Sequence, residues 1–310
     1  MKRVIIIISA CLIICLVAIY LIQISNKTIS QTTINNTSEG NVSKFLLYEN
    51  NWLKWWPGEK DLKNRSFSYN GIKYTFEKKT NSGLYLNIND GKRTLKGEML
   101  FFPIDMAKTK LTFNIDSINW SGTINPISRY LEYRKINSEV TKILYSFYNY
   151  MNDPKQVYGY EIHLSKVKDS VMLVSLTTIN QYPSPIIIEK MVLDIKQQIK
   201  AQNGIETNYP MLNVTQLGKE NYQVMVAIPT NKVLKPGKNT VVNKMILGNI
   251  LEAKIIGGSN TIQDAFNQIK IFMKDHRLSS PAIPFESMIT DRSKQPDSSK
   301  WVTKIYYPIL

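Results

Sequence analysis

One order of elements occurs twice between residues 170 and 308, and it restricts the fold more than any other feature of the chain. The first copy has a strand at 170–179 (SVMLVSLTTI), then a helix opened by Ser184-Pro185 that runs to about residue 201. A serine cap followed by proline at the first helical position suits a helix start, because that position has no use for an N–H. Ile188, Met191, Ile195 and Ile199 give the helix one apolar stripe. Two strands follow, at 209–216 and 221–228, ending at Pro229. The second copy has a strand at 245–256 and a helix start read at Asn260 with Gln263, in the manner of a capping box. Its stripe is Ile262, Phe266, Ile269 and Met273, and its two strands, 285–290 and 301–307, end at Pro308. Placing Pro229 on Pro308 superposes VMVAIP on TKIYYP. Strand-helix-strand-strand, twice, predicts one supersecondary unit duplicated within a single domain.

The preceding stretch has a different rhythm. Val42, Phe45 and Leu46 stand at helical spacing, and Trp52, Trp55, Trp56 and Pro57 follow. Partly alternating stretches at 66–78, 83–89, 94–102 and 109–118 are punctuated by Asn70-Gly71 and Asp90-Gly91, so they predict an antiparallel meander. At 136–151 the period returns to helical, with Val140, Ile143, Leu144, Phe147 and Met151 on one face and Asn137 or Ser138 available as a cap. A curved sheet wrapped on that closing helix would bury both apolar faces. The segment 152–157 (NDPKQV) loses periodicity and marks a domain boundary.

Residues 4–24 carry no charge over 21 positions. As a helix they would be roughly 30 Å long, the thickness of a bilayer core. The alternatives are a cleaved signal peptide and a lipoprotein signal ending at Cys11. No small-x-small site follows the run, and it continues well past Cys11, so a retained anchor is expected. Lys2 and Arg3 precede it and Lys27 follows, which places the N-terminus in the cytoplasm and the body beyond the membrane. The remaining 25–41 stretch, rich in Ser, Thr and Asn, reads as a tether that ends in a strand near Thr32–Ile34. Both cysteines, Cys11 and Cys15, lie inside the apolar run, so disulfides and thiolate metal sites are excluded from the body. His163 and His276 are far apart in sequence; no metal and no cofactor are expected. The net charge of +15 (39 basic minus 24 acidic) is spread without a dense run. It is read as solvated surface with some attraction to anionic lipid, and no nucleic-acid partner is expected.

Two resemblances organise these readings. The order helix, meander, closing helix, with W-x-x-W-W-P at Trp52–Pro57, resembles the START-like superfamily (SRPBCC or polyketide cyclase proteins) over about residues 30–152. That resemblance implies a helix-grip fold holding an apolar ligand between sheet and helix. A packed loop of tryptophans at a domain edge is the alternative. The tandem unit, with PFESMITD at 284–291 and KWVTKIYYPI at 300–309, resembles the gyrase-inhibitor-like (GyrI-like) effector-binding family over about residues 155–310. That implies two strand-helix-strand-strand (SHS2) units side by side with a ligand groove at their pseudo-twofold axis. The expected fold class is therefore α+β, with an N-terminal transmembrane helix. The expected domains are 1–27 (anchor), 28–152 (START-like) and 153–310 (effector-binding).

Alternation in the last strand puts Val302, Lys304 and Tyr306 on one face and Trp301, Thr303, Ile305 and Tyr307 on the other. The resemblance implies a glutamate just before the closing I-x-x-P, where it would neutralise a cationic ligand; Lys304 stands there instead. Lysine in a groove favours anions or carbonyls. Glu286 is either a surviving acid or a partner for Lys304. The candidate ligand-binding residues are Glu286, Met288, Val302, Lys304 and Tyr306, for a small apolar or anionic molecule. A hydrolase using Glu286 with Tyr306 is the alternative, and an envelope structural protein is a third. No nucleophile elbow, phosphate loop or metal motif occurs.

Overall fold

The computed structural model describes residues 2–25, 28–61, 66–116, 126–168 and 171–310, which fall into two compact units, Met1–Asp153 and Pro154–Leu310. Asn26 and Lys27 lie outside the described residues, as do the last two residues of the strand read at 109–118 and the first of that read at 170–179. The fold is mixed α+β, with two antiparallel sheets and seven α-helices among the described residues. The first helix, α1 (Lys2–Ser25), is long and apolar enough to cross a membrane by length and composition, and none of its residues from Arg3 to Tyr20 is buried.

The first unit then runs β1 (Ile29–Asn35), α2 (Glu39–Leu46), α3 (Glu49–Trp55), β2 (Glu59–Asp61), β3 (Ser66–Tyr69), β4 (Ile72–Thr80), β5 (Gly83–Asn89), β6 (Thr94–Pro103), β7 (Thr109–Ile115) and α4 (Pro126–Met151). The sheet order is β1-β7-β6-β5-β4-β3-β2, so the chain closes the sheet by bringing its first strand beside its last. Asn70 and Gly71 both take positive φ, which joins β3 to β4 by the tight turn that their sequence predicts. The inner face carries Leu84, Leu86, Ile88, Met99, Phe101, Leu111 and Phe113, all buried. Gly97 lets the two strands' side chains close over it, since a Cβ would lie 2.6 Å from Ile88 Cδ1, which would have to shift. Above it lies the stripe of α4, comprising Ile136, Val140, Ile143, Leu144 and Phe147. Asn137 and Ser138 sit inside this helix and do not cap it; Asn137 Oδ1 accepts a hydrogen bond from Gln31 Nε2 at 2.9 Å. A charged cluster fastens the β5–β6 turn to α4, with Arg93 Nε 3.0 Å from Asp90 Oδ2, Arg93 also paired to Glu132, and Lys92 Nζ 3.0 Å from Glu132 Oε1.

The tryptophans form no edge loop. Trp52 is fully buried, with its ring 4.5 Å from Trp55, 5.1 Å from Trp56, 5.2 Å from Phe67 and 4.6 Å from Phe76, centroid to centroid. Each indole N–H is satisfied by a backbone carbonyl: Trp52 by Leu46, Trp55 by Phe45 and Trp56 by Ser68. Aromatic side chains thus fill space between the helices and the inner face of the sheet, where the START-like resemblance implies a ligand.

The second unit begins with α5 (Pro154–Tyr158) and β8 (Ile162–Lys166). Then β9 (Val171–Ile179), α6 (Pro185–Ala201), β10 (Met211–Gln216) and β11 (Tyr222–Pro229) are followed, after β12 (Thr240–Lys244), by β13 (Asn249–Ile256), α7 (Ser259–Asp275), β14 (Phe285–Met288) and β15 (Val302–Ile309). One sheet holds all eight strands in the order β12-β9-β11-β10-β14-β15-β13-β8. The two copies therefore meet at β10 and β14, through the register pairs Met211↔Ser287 and Leu212↔Glu286. Met288 N donates to Pro210 O at 2.8 Å and Asn213 Nδ2 to Pro284 O at 2.7 Å, which reinforces that junction. Each copy has its own core under its own helix. Ile188, Ile195 and Ile199 pack with Leu173, Val224 and Val226, and Ile262, Ala265 and Ile269 pack with Ala253, Ile305 and Tyr307. Ser184 caps α6 as its sequence predicts. The start of α7 differs: Gly258 is the N-cap and Asn260 lies within the helix, because Gly257 turns at φ +144° and hydrogen-bonds to Trp301 O.

Candidate functional site

A groove opens on the helix side of the eight-stranded sheet, between α6 and α7 and above the β10–β14 junction, with a cavity volume of about 330 Å³. Ile188 and Val192 of α6 and Ile262 of α7 form apolar walls, and Leu212 and Met288 contribute to the floor. That volume and lining suit a small organic molecule.

Glu286 lies among these apolar residues. Strand alternation and the register Glu286↔Ile305 turn it to the same side as Ile305 and Met288, under the helices. Its partner is Arg292, from the loop that follows β14. The guanidinium Nη2 donates to Glu286 Oε2 at 2.6 Å and to Thr303 Oγ1 at 3.1 Å. Its Cζ lies 4.7 Å from the centroid of the Trp301 ring, a cation–π contact in a largely desolvated setting. Arg292 Nε is buried with no hydrogen-bond partner. The loop is held by its own turns. Asp291 accepts from Ser293 N and Oγ, Trp301 Nε1 donates to Gln295 O at 2.8 Å, and Thr290 N donates to Val302 O at 3.1 Å. Burial pushes the Glu286 carboxyl above the ordinary range, and the charge and hydrogen bond of Arg292 only partly oppose that. At the groove mouth the Tyr182 hydroxyl is raised too, first by burial and then by the charge of Glu286.

The opposite face of the same sheet has a smaller cavity, about 160 Å³, lined by Met211, Met245, Phe285, Lys304 and Tyr306 among others. Lys304 Nζ is 2.6 Å from Glu252 Oε1, and the Tyr306 ring lies 5.1 Å from that of Phe285.

The five candidate residues are thus divided by the sheet. Glu286 and Met288 line the helix-side groove; Lys304 and Tyr306 line the cavity behind it. Val302 shares the face of Lys304 and lines neither of these two cavities. Lys304 does not pair with Glu286, because the two side chains leave the sheet in opposite directions; their partners are Glu252 and Arg292. Glu286 and Tyr306 are separated in the same way and cannot act together on one substrate. Arg292, Trp301 and Leu212 are functional candidates that the sequence reading misses. Arg292 sits in a polar loop with no period to mark it, and Leu212 is singled out only by its register with Glu286.

No protein-family model matches the chain, and no curated protein matches it. Among solved structures it resembles the C-terminal domain of EcmrR at 18% identity and TM-score 0.43, over 49% of this chain and 98% of that one. The EcmrR–DNA complex matches at 18% identity and TM-score 0.45, over 61% and 72% of the two chains. SAV2435 bound to tetraphenylphosphonium matches at 13% identity and TM-score 0.33, over 48% and 94%. A START superfamily protein from Mycobacterium smegmatis matches at 12% identity and TM-score 0.28, over 39% and 97%. At such scores these likenesses assign no ligand or activity. They do correct one expectation: with a DNA-bound protein among the similar structures, nucleic acid is not excluded as a partner. The exclusion rested on reading the net charge of +15 as solvated surface and on a body expected beyond the membrane; the same charge attracts a polyanion.

Proposed function

We propose that this chain is a membrane-tethered protein that binds a small molecule, without transforming it, in the groove between α6 and α7. The carrying observation is the cavity of about 330 Å³, lined by apolar side chains together with Glu189 and Lys196, built over a buried charge pair at the junction of two like halves. In this reading the second unit is a pair of SHS2 modules spanning residues 153–310. Residues 28–152 form a helix-grip domain whose filled interior serves as a spacer, and α1 is a retained anchor with its N-terminus in the cytoplasm. Glu286 and Met288 contact the ligand from the floor, and the apolar walls favour a flat, partly apolar molecule.

Native mass spectrometry of the protein purified from its own host membranes tests the groove. A small-molecule adduct is expected on the wild type and not on Val192→Trp, whose indole would fill the groove from the α6 wall. An adduct retained in full by Val192→Trp would refute the location. Orientation is tested with a reporter fused after residue 310. Activity only outside the cytoplasm is expected, and a reporter active in the cytoplasm would overturn the topology.

A further inference from the structure

We propose that Arg292 is a built-in counter-ion that sets the charge selectivity of the groove: its guanidinium occupies a planar-cation subsite formed by Glu286, Thr303 and Trp301. The proposal rests on the groove being a ligand site and deepens it by naming what the site excludes.

Three features of the subsite belong to cation recognition. Glu286 is a carboxylate set in an apolar floor, where an unpaired charge is costly and a paired one is tolerated. Trp301, itself buried, offers its ring face at 4.7 Å, the arrangement that holds flat delocalised cations. Thr303 Oγ1 adds an acceptor 3.1 Å from the same nitrogen. An acid, an aromatic face and a hydroxyl acceptor converging on one point would take a guanidinium or amidinium from solution. The chain supplies one from only six residues further on, so the subsite is occupied from within.

Loop 289–301 does not deliver Arg292 by accident of packing. The Asp291 turn, the Gln295–Trp301 hydrogen bond and the Thr290–Val302 pairing fix the loop at both ends, so the guanidinium is presented with little loss of freedom. A ligand cation would have to displace a tethered competitor that is always present at high effective concentration. A neutral ligand faces no such competitor, because it needs only the apolar walls. Arg292 is thus a specificity-determining residue that acts by occupation and leaves the groove beside it free.

The test uses three probes of one shape and three charges: benzamidine (cation), benzamide (neutral) and benzoate (anion). They are titrated by ligand-observed NMR into the full chain held in amphipol. Wild type is expected to bind benzamide and to bind benzamidine poorly. Arg292→Met should raise benzamidine affinity on the order of 10–100-fold, the worth of a charge-assisted hydrogen bond in a desolvated site. The double variant Glu286→Gln/Arg292→Met should lose that gain. Glu286→Gln alone, which leaves the guanidinium without its carboxylate, should shift preference toward benzoate. Arg292→Gln is the second variant if Arg292→Met does not fold, and the same gain is expected of it. Benzamidine binding no tighter in the variants than in wild type would overturn the proposal, as would a gain that survives loss of Glu286. Val192→Trp separates this failure from that of the groove itself. If benzamide binding is unchanged in that variant, the groove is not the site; if it is lost while Arg292→Met gains no cation, only the counter-ion assignment falls.

Discussion

Removing the Trp52 side chain should destabilise the first unit by about 4–5 kcal/mol, at the upper end of the roughly 3–5 kcal/mol range for tryptophan truncation. The position in that range follows from the surroundings. Trp52 has no exposed surface, four aromatic rings lie within 4.5–5.2 Å of it, and its Nε1 donates to Leu46 O at 2.7 Å. Those rings belong to α3, its C-cap Trp56, β3 and β4, whose backbones are held in place and resist collapse into the gap; a carbonyl is also left without its donor. For a domain of this size the loss corresponds to a fall in Tm of roughly 10–15 °C. Differential scanning calorimetry of the full chain in non-ionic detergent, comparing wild type with Trp52→Ala, reads it directly. Because the vacated space is apolar and carries one carbonyl acceptor, added indole should refill it and recover about 1.4 kcal/mol at ten times its Kd. Trp52→Phe, which keeps one ring but loses the other together with the N–H, should cost about 1–3 kcal/mol. A loss below about 1.5 kcal/mol for Trp52→Ala, typical of an ordinary substitution, would refute the view that a rigid aromatic cluster fills this interior.

The second unit offers a contrast. Glu286→Ala should cost about 3 kcal/mol in its calorimetric transition, since it strands a buried guanidinium, whereas Glu286→Gln/Arg292→Met should fall within about 1 kcal/mol of wild type; equal losses in the two would count against a desolvated pair. Segments 28–152 and 155–310, expressed separately, should each give one cooperative melt, because each contains its own sheet and core; failure of both to fold would place the boundary elsewhere. In the first unit, burial would raise the Asp90 and Glu132 carboxyls, but it is outweighed at Asp90 by the backbone N–H groups of Lys92 and Arg93 and the Arg93 side chain, and at Glu132 by hydrogen bonds and charges of Lys92 and Arg93, so both lie below their ordinary values of 3.8 and 4.5. Folded pKa values below the unfolded ones add stability that is present above those ordinary values and is lost as pH falls through them toward the folded pKa. The Tm of the first unit should therefore decline on acidification below about pH 5, and less steeply in Arg93→Met; identical slopes would show that Arg93 does not set these carboxylates.

The two repeat helices were legible because their stripes repeat at 3.6 residues and Ser184-Pro185 has a single structural meaning. The Asn70-Gly71 turn was legible for a similar reason, as few other residues accept two successive positive φ values. The N-terminal extension of α4 to Pro126 was not, because its added turns carry Arg, Tyr and Glu with little apolar periodicity. The composition of the groove failed for a deeper reason. Within one strand, alternation separates faces correctly, and Lys304 and Tyr306 do share one. Which face of β14 accompanies them depends on register. Phe285 stands opposite Tyr306, and a slip of one residue would have put Glu286 there instead. Register is set by the whole sheet and leaves no mark on either strand alone. Arg292 was hidden for the same reason, since its meaning comes from a carboxylate six residues away whose direction the sequence does not state.

The seam between the halves of the second unit has a mechanical consequence. Four strands on either side are joined at the centre by two register pairs, whereas β13 and β15 share eight. Bending stiffness across a sheet rises with the number of bonded residues at each joint, so flexure concentrates at β10–β14. That line runs beneath the groove, and α6 and α7 ride on opposite sides of it. Each helix is a lever arm, and a small change of angle at the seam becomes a larger change in their separation. In the proposed function, a molecule wedged between them would change the angle between the two halves. With Glu286 and Leu212 as the register pair at the pivot, the buried charge sits where displacement is least, and the outer strands β8 and β12 travel furthest. Whatever meets those outer edges would sense occupancy of the groove as movement, with no contact to the occupant.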